Sequence, residues 1–222
     1  MTTITYARQS KPGAIALASQ GMYRLNRGRS GDVNWGRRRA DTLLNPDISN
    51  SVNKWHMRRL FERHDVPMPK LVDVLDEQEV TFPILGRKTY HTRKKGFYVC
   101  HNYNDVEKAL QKGATHFMEY IRGADVKEFR CHIFNGKSIR LSEKSFDEEL
   151  GDYVTIKPTY RKKPMREAAK KAVGALGLDF GAVDILSDGE QVWVLEVNAA
   201  PGLGGSTPRV YSEAINEYLN ER

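Results

Sequence analysis

The stretch GLDFGAVDILSDGEQVWVLEVNAAPGL, residues 177–203, decides how the rest of the chain is read. It has the form of two short strands joined by a turn and ending in a glycine-rich bend. With the two-residue period of a strand, Val192, Val194, Glu196 and Asn198 share one face and Trp193, Leu195 and Val197 the other. The turn decides whether Asp184 joins Glu196. A two-residue Asp188-Gly189 turn sets Asp184 opposite Trp193, on the wrong face. A three-residue loop, Asp188-Gly189-Glu190, pairs Ser187 with Gln191 and sets Asp184 across from Val194, diagonal to Glu196 and on its face. We expect the three-residue loop. Asp184, Glu196 and Asn198 are then hard oxygen ligands of the kind that hold Mg²⁺ beside substrate phosphates. The alternative is an ordinary hairpin with a solvated polar face. Asn198-Ala-Ala-Pro-Gly is, however, a poor continuation of a strand, and two acids beside an amide are costly without a cation.

The same residues carry a family resemblance. An acid followed twelve residues later by Glu-x-Asn-x-x-Pro-Gly resembles the metal-binding signature of ATP-grasp ligases. The wording DFGAVDIL…VLEVNAAPGL is similar to the ribosomal-protein glutamate ligase branch, with D-alanine:D-alanine ligases carrying a looser version. The resemblance covers about residues 50–222, with most of its weight in the last 45. It implies an α/β (α+β) fold of two lobes clamping a nucleotide, with ATP and Mg²⁺ (or Mn²⁺) as cofactors. The short first unit and the arginine in the lid strand also look similar to compact ligases encoded by bacteriophages.

Length and composition are ordinary for a soluble globular protein. The chain has 222 residues, 40% hydrophobic and 28% charged, enough to bury a core in one large or two small lobes. No apolar run reaches the roughly 18 residues of a membrane span, and no signal-peptide core opens the sequence. Cys100 and Cys131 lack metal-type spacing and read as buried free thiols in a reducing compartment, so a cytoplasmic protein is expected. The net charge of +7 is uneven: residues 1–101 hold 18 Lys/Arg against 9 Asp/Glu, and residues 102–222 hold 17 against 19. A basic front half facing an acidic back half suits a polyanion held between them, a triphosphate or a nucleic acid.

Along the chain we expect an abbreviated α/β unit over 1–50, a first lobe over 51–116 and a second lobe over 117–222. In the unit, TITYARQ, MYRLNRG and DVNWG read as strands and GAIALASQG as a helix closed by Gly21; Arg37-Arg-Arg39 is either a solvated surface or a contact for a phosphate or acidic substrate. A helix over 50–65, capped by Asn50 or Ser51, shows Met57, Leu60, Phe61 and His64 at helical spacing. The resemblance assigns Lys54 on it to ATP. TFPILGRKTYHTRKKGFYVCHN reads as two antiparallel strands around a loop. In the family this is strand, phosphate lid, strand; its phosphate-contacting lysine falls on Arg87, with Lys88 alongside. Only one of the pair can point inward, and we expect Arg87. The lid departs from the family in having Gly96 alone among His91, Arg93, Lys94 and Lys95.

Asn104-Asp-Val-Glu107 reads as a capping box opening a short helix with Val106, Ala109 and Leu110 inward. By resemblance, Glu119, Tyr120 and Ile121 line the adenine slot. Asn135-Gly136 marks a hairpin; the segment resembles the family's in which an acid holds the ribose and an arginine the transferring phosphate, which implies Glu128 and Arg130 for those roles, with Lys144 as a further phosphate contact. Arg130 and Arg87 are therefore the candidate catalytic cations. Residues 145–163 offer no clear counterpart of the family's further asparagine; Lys157 is a candidate contact. A helix from Pro164 should pack Met165, Ala169, Ala172, Val173 and Leu176 behind the hairpin. A last helix, capped by Thr207 and Pro208, should turn Val210, Ala214, Tyr218 and Leu219 inward.

The implied activity joins a small-molecule or peptide carboxylate to an amine through an acyl phosphate. The alternatives are a kinase of the same fold that stops at phosphorylation, and a basic nucleic-acid-binding protein.

Overall fold

The computed structural model describes residues 1–21, 23–76, 80–89, 96–149 and 152–222, the side chains of 152 and 153 excepted. The lid residues His91, Arg93, Lys94 and Lys95 lie outside them. The described residues form three sheets in sequence order.

The first sheet is parallel, in the order β2-β1-β3-β4, from β1 (Thr2–Tyr6), β2 (Tyr23–Asn26), β3 (Ser30–Trp35) and β4 (Asp41–Leu44). Helix α1 (Lys11–Ala18) crosses between β1 and β2. β4 is an addition to the sequence reading. Asn45, fully buried, explains its position: it donates to the Phe180 carbonyl and accepts from the Asp179 and Phe180 amides, tying the end of β4 to the C-terminal lobe. Trp35 stacks on Phe180 at 5.3 Å and meets Tyr211 edge-on at 5.5 Å. The small unit thus shares its core with the last sheet and the last helix.

The second sheet has the order β5-β8-β6-β7, from β5 (Leu71–Val72), β6 (Ile84–Arg87), β7 (Phe97–Cys100) and β8 (His116–Glu119). β6 and β7 are antiparallel around the lid, Ile84 opposite Cys100 and Arg87 opposite Phe97. β8 pairs within this sheet, so the chain leaves it after Glu119. Helix α4 (Tyr103–Gln111) packs Val106 and Ala109 against the sheet; its cap is Asn102, two residues before the expected box, and Leu110 faces solvent. The helix expected over 50–65 is two: α2 (Ser49–Val52) and α3 (Lys54–Arg63). Asn53 breaks them with extended backbone and caps α3 by accepting from the His56 amide, replacing the expected caps Asn50 and Ser51.

The third sheet has the order β11-β10-β9-β12-β13 and is antiparallel: β9 (Lys127–Phe134), β10 (Lys137–Asp147), β11 (Asp152–Ile156), β12 (Phe180–Ser187) and β13 (Val192–Asn198). Asn135 and Gly136 both have positive φ, 44° and 69°, between paired Phe134 and Lys137, the geometry that makes Asn-Gly a tight hairpin. Helix α5 (Lys162–Ala175) starts two residues before Pro164 and covers one face of the sheet with all five expected side chains buried. Helix α6 (Thr207–Asn220) centres on Tyr211 and Ile215, fully buried, with the expected Ala214, Tyr218 and Leu219 half-buried against the same core and Val210 outside it, because the helix packs against the N-terminal unit, where Tyr23 Oη lies 2.9 Å from Ser212 Oγ. Both cysteines are buried and free, and among the described residues no helix is long and apolar enough to cross a membrane.

Candidate active site

The β12–β13 hairpin departs from the expected register and still brings the three candidate ligands together. Ser187 pairs with Val192, so the loop has four residues, Asp188–Gln191, and not three. Asp188 Oδ1 accepts from the amides of Glu190 and Gln191, at 3.0 and 2.7 Å, and the Ser187 hydroxyl donates to the Gln191 carbonyl, which closes the wider loop. In that register alone Asp184 would face Leu195, and Glu196 would turn into the core with Val194. A bulge corrects this: Ile185 pairs with Val194, but Asp184 pairs with Glu196, leaving Leu195 as the extra residue. Val194 and Val197 are both buried in the core under α5, while Leu195, Glu196 and Asn198 face the cleft. The expectation that Val192, Val194, Glu196 and Asn198 share one face is therefore overturned. The apolar demand of the core and the polar demand of the cleft conflict along a regular strand, and one inserted residue reconciles them. The outer edge of β13 is covered in turn, the Val194 amide donating to the Pro67 carbonyl at 2.7 Å.

Register aligns the remaining groups. Ser142, Arg130, Asp184 and Glu196 are successive partners across β10, β9, β12 and β13, and in the neighbouring row Lys144 faces Glu128. Arg130 holds Asp184 with both arms of its fork, Nε to Oδ1 at 2.7 Å and Nη2 to Oδ2 at 2.9 Å. Lys144 pairs with Glu128 and stands 3.9 Å from Asp184. From across the cleft, Lys54 Nζ reaches Glu196 at 3.3 Å and Arg87 Nη2 lies 3.7 Å from the same oxygen. Lys54 opens α3, where a cation opposes the helix dipole. That local misfit is the signal that its place is set by the cleft.

Burial works against the Glu196 carboxylate, but the charges of Lys54 and Arg87, with hydrogen bonds from Lys54 and Asn198, hold its pKa below the usual range. Burial likewise opposes charge on Arg130, yet hydrogen bonding and attraction from Asp184 raise its pKa. Arg87 moves the other way, lowered by burial with Glu196 partly offsetting it. Its guanidinium lies 4.4 Å above the Phe97 ring.

These groups occupy one end of a cleft of about 980 Å³ between the second and third sheets. Of the candidate residues assigned to ATP or metal from the sequence, Lys54, Arg87, Glu119, Tyr120, Ile121, Glu128, Arg130, Lys144, Asp184, Glu196 and Asn198 line it, and Lys88 and Lys157 do not. Lys88 turns its amine to the opposite side of its sheet, where a Cβ on Gly113 would stand 3.6 Å from Nζ. It leaves the candidate set because alternation along the strand assigns the cleft to Arg87. Lys157 is exposed and also outside the lining. At the other end Glu119 is fixed by Lys70, its amide donating to the Lys70 carbonyl and its carboxylate accepting from the Lys70 amide.

Sequence reading missed Arg58, 3% exposed on α3, which donates to the Pro69 carbonyl at the cleft wall. Burial and the charge of Arg87, opposed by Glu62, lower its pKa to about 10. Its position one turn beyond Lys54 was the available clue. Gly36 was missed too. Its φ is +93°, and a Cβ there would collide with Ser10 and stand 3.0 Å from the Ala200 Cβ. Backbone of the N-terminal unit therefore lies directly on the Asn198–Ala200 bend, and only glycine fits.

The donor set fits a divalent cation. Among the described residues no three His, Cys, Asp or Glu side chains gather as a metal cluster. The third ligand here is an amide: Asn198 Nδ2 is 3.3 Å from both Asp184 Oδ2 and Glu196 Oε1. Here that amide donates to both carboxylates; turned about its terminal bond it would present Oδ1 to a cation lying between them. Lys54, Arg87, Arg130 and Lys144 outnumber Asp184, Glu196 and Glu128 by one charge. A divalent cation raises that surplus to three, suited to a triphosphate.

A family model described as the RimK-like ATP-grasp domain matches residues 53–217. The chain is 27% identical over 176 residues to a probable alpha-L-glutamate ligase of Aeromonas salmonicida, covering 71% of this chain and 59% of that protein. It is 34% identical over 183 residues to another from Parasynechococcus marenigrum, covering 71% and 38%. The chain thus spans well under two thirds of the length of these two curated relatives. Among solved structures, D-alanine–D-alanine ligase from Bacillus anthracis complexed with ATP has a TM-score of 0.66 at 13% identity, with 99% of this chain and 98% of that chain covered. The ATP-grasp ligase PsnB complexed with a minimal precursor has a TM-score of 0.69 at 12% identity, with 100% and 99% covered. At such identity these likenesses establish the fold, and the fold is ATP-grasp. With the family model matching most of the chain, and the acid–Glu-x-Asn bend seated where the cleft gathers its cations, the protein belongs to the RimK-like ATP-grasp family.

Proposed function

We propose that this chain is an ATP- and Mg²⁺-dependent ligase that joins a carboxylate to an amine. The observation that carries the reading is the facing pair Asp184–Glu196, with Asn198 against both and four cations around them, at one end of a nucleotide-sized cleft. The relatives' names favour glutamate as one of the two substrates.

An amine does not displace oxide from a carboxylate at a useful rate. Transfer of the ATP γ-phosphoryl group to a carboxylate oxygen gives an acyl phosphate and ADP. The amine nitrogen then bonds to the acyl carbon, the C–O bond to phosphate breaks, phosphate leaves with the electron pair, and nitrogen sheds a proton. Positioning and charge neutralisation dominate such a transfer. Asp184, Glu196 and the Asn198 amide would hold Mg²⁺, which when bound neutralises charge on the β- and γ-phosphates. Arg130 now spends its fork on Asp184; with those oxygens on a cation, the fork would be free for phosphoryl oxygens. Arg87 and Lys54, now on Glu196, meet them from the opposite lobe. Each such contact is worth about 3 kcal/mol in the transition state. Glu128 and Lys144 border the ribose side, and the Glu119–Ile121 segment borders the adenine.

Hydroxylamine trapping tests the reading: with ATP, Mg²⁺ and a mixture of amino acids, a ligase yields a hydroxamate. A kinase that phosphorylates a hydroxyl yields ADP and none, and a nucleic-acid-binding protein yields neither. Glu196→Ala should abolish ATP turnover with the circular dichroism spectrum unchanged; full turnover in that variant would sink the assignment.

A further inference from the structure

The bend that follows Asn198 rests on two glycines of the N-terminal unit. Gly36 lies under Ala200, where a Cβ would stand 3.0 Å from the Ala200 Cβ. Gly13, in the first turn of α1, lies under Pro201. A Cβ there would stand 2.9 Å from the Pro201 carbonyl oxygen and 2.7 Å from Trp35 Nε1. The indole nitrogen and that carbonyl therefore flank one point, with no side chain between them. Glycine in a helix costs stability relative to alanine, and the close approach of these two groups is what it permits here.

The indole side of this contact is fixed. Trp35 ends β3, is fully buried, and accepts at its carbonyl from the Ala7 amide at 3.3 Å. Its neighbour Asn34, also fully buried, accepts from the Arg37 amide and donates to the carbonyls of Arg37 and Asn45, which holds the turn through Gly36. The Trp35 ring is wedged against Phe180 and Tyr211. Its Nε1 is nevertheless buried with no hydrogen-bond partner among the described residues, although a buried indole N–H ordinarily has one. The Pro201 carbonyl accepts no hydrogen bond among the described residues either. A donor and an acceptor, both unspent, face the same point at the foot of the bend.

We propose that Trp35 is a positioning residue for the metal ligands. When Asp184, Glu196 and Asn198 hold a cation, the Pro201 carbonyl closes onto the Trp35 N–H, and that bond fixes the bend on which Asn198 sits. Pro201 is three residues beyond Asn198, and Ala199 between them is 4% exposed, so a shift at Asn198 is passed along a short, packed segment. The Asn198 amide, which now donates to both carboxylates, has to turn to offer its oxygen, and this is the change that moves the bend. The N-terminal unit thus shapes the metal site without supplying a ligand to it. The inference rests on the reading of those three side chains as cation ligands.

NMR of the ¹⁵N-labelled protein tests it. The chain has three tryptophans, so Trp55→Phe and Trp193→Phe assign the Trp35 indole signal by elimination. Addition of Mg²⁺ with a non-hydrolysable ATP analogue should move the Trp35 indole proton downfield, as an N–H moves on gaining an acceptor. The analogue in EDTA should leave it in place, and so should Mg²⁺ with the analogue in Asn198→Ala. In Trp35→Phe, the Mg²⁺ concentration that half-saturates binding of a fluorescent ATP analogue should rise about fivefold, the worth of one hydrogen bond. Affinity for that analogue in EDTA should match the wild type, whereas a merely structural role would move the melting temperature and not the Mg²⁺ midpoint. The proposal is overturned if the indole signal stays in place with Mg²⁺ and nucleotide bound, if it moves equally in EDTA, or if the Mg²⁺ midpoint of Trp35→Phe equals that of the wild type. Failure of the metal reading looks different and takes the proposal with it: nucleotide binding to the wild type would then not depend on Mg²⁺ at all.

Discussion

Acid should unfold this protein through His132, a residue outside the proposed chemistry. His132 lies on β9, two residues from Arg130, and is 3% exposed. Its Nδ1 is 3.2 Å from the Tyr211 hydroxyl, joining the third sheet to α6. Burial first, then the charges of Arg130 and Arg140, push its pKa from 6.5 to about 3. Between those values the unfolded chain binds a proton that the folded chain refuses, so stability falls as pH falls. The slope approaches about 1.4 kcal/mol per pH unit. From about pH 6.5 to about pH 5, before most carboxylates protonate, the loss is about 2 kcal/mol, and by about pH 3 it is about 4 kcal/mol. Domains have only about 5–15 kcal/mol to lose. Urea denaturation followed by tryptophan fluorescence across this range measures the slope. His132→Asn keeps an acceptor near Tyr211 and does not titrate, so its stability should decline less steeply, by about 1 kcal/mol per pH unit. Parallel curves for the two proteins, or an NMR titration of His132 with its midpoint near the ordinary histidine value, would refute the reasoning.

Two other outcomes follow from the geometry. Arg87→Met should weaken ATP binding more than about tenfold, whereas Lys88→Ala should leave it within about twofold, because only Arg87 faces the cleft; equilibrium titration with a fluorescent ATP analogue compares them. Gly36→Ala should destabilise the fold by about 1–3 kcal/mol in urea melts, since its positive φ and its contact with Ser10 and Ala200 leave no place for a methyl group.

What was legible in the sequence was whatever local chemistry dictates. Asn135-Gly136 has one favoured turn, and the apolar spacing of α5 leaves one face to bury. The ligand trio was legible as residue types, and the side of the strand it occupies was not. That side depends on Leu195 being squeezed out of the ladder, a choice made by Val194 and Val197 both finding places under α5. Asn53 was passed over as a cap because Asn50 and Ser51 compete with it a few residues earlier, and the decision falls to Lys54 reaching Glu196. The strands β4 and β11 lie at sheet edges with little apolar alternation, so their pairing is set by neighbours distant in the chain. The arginine run could be read as solvated surface or as a contact. Residue type does not choose between the two.

Crystals soaked with a non-hydrolysable ATP analogue and Mn²⁺ test the central claim most directly. The account predicts an anomalous peak touching side-chain oxygens of Asp184, Glu196 and Asn198, with the Arg130 fork moved from Asp184 to phosphate. Nucleotide bound in the cleft with no peak at those three side chains, or with Arg130 still bidentate on Asp184, would contradict it.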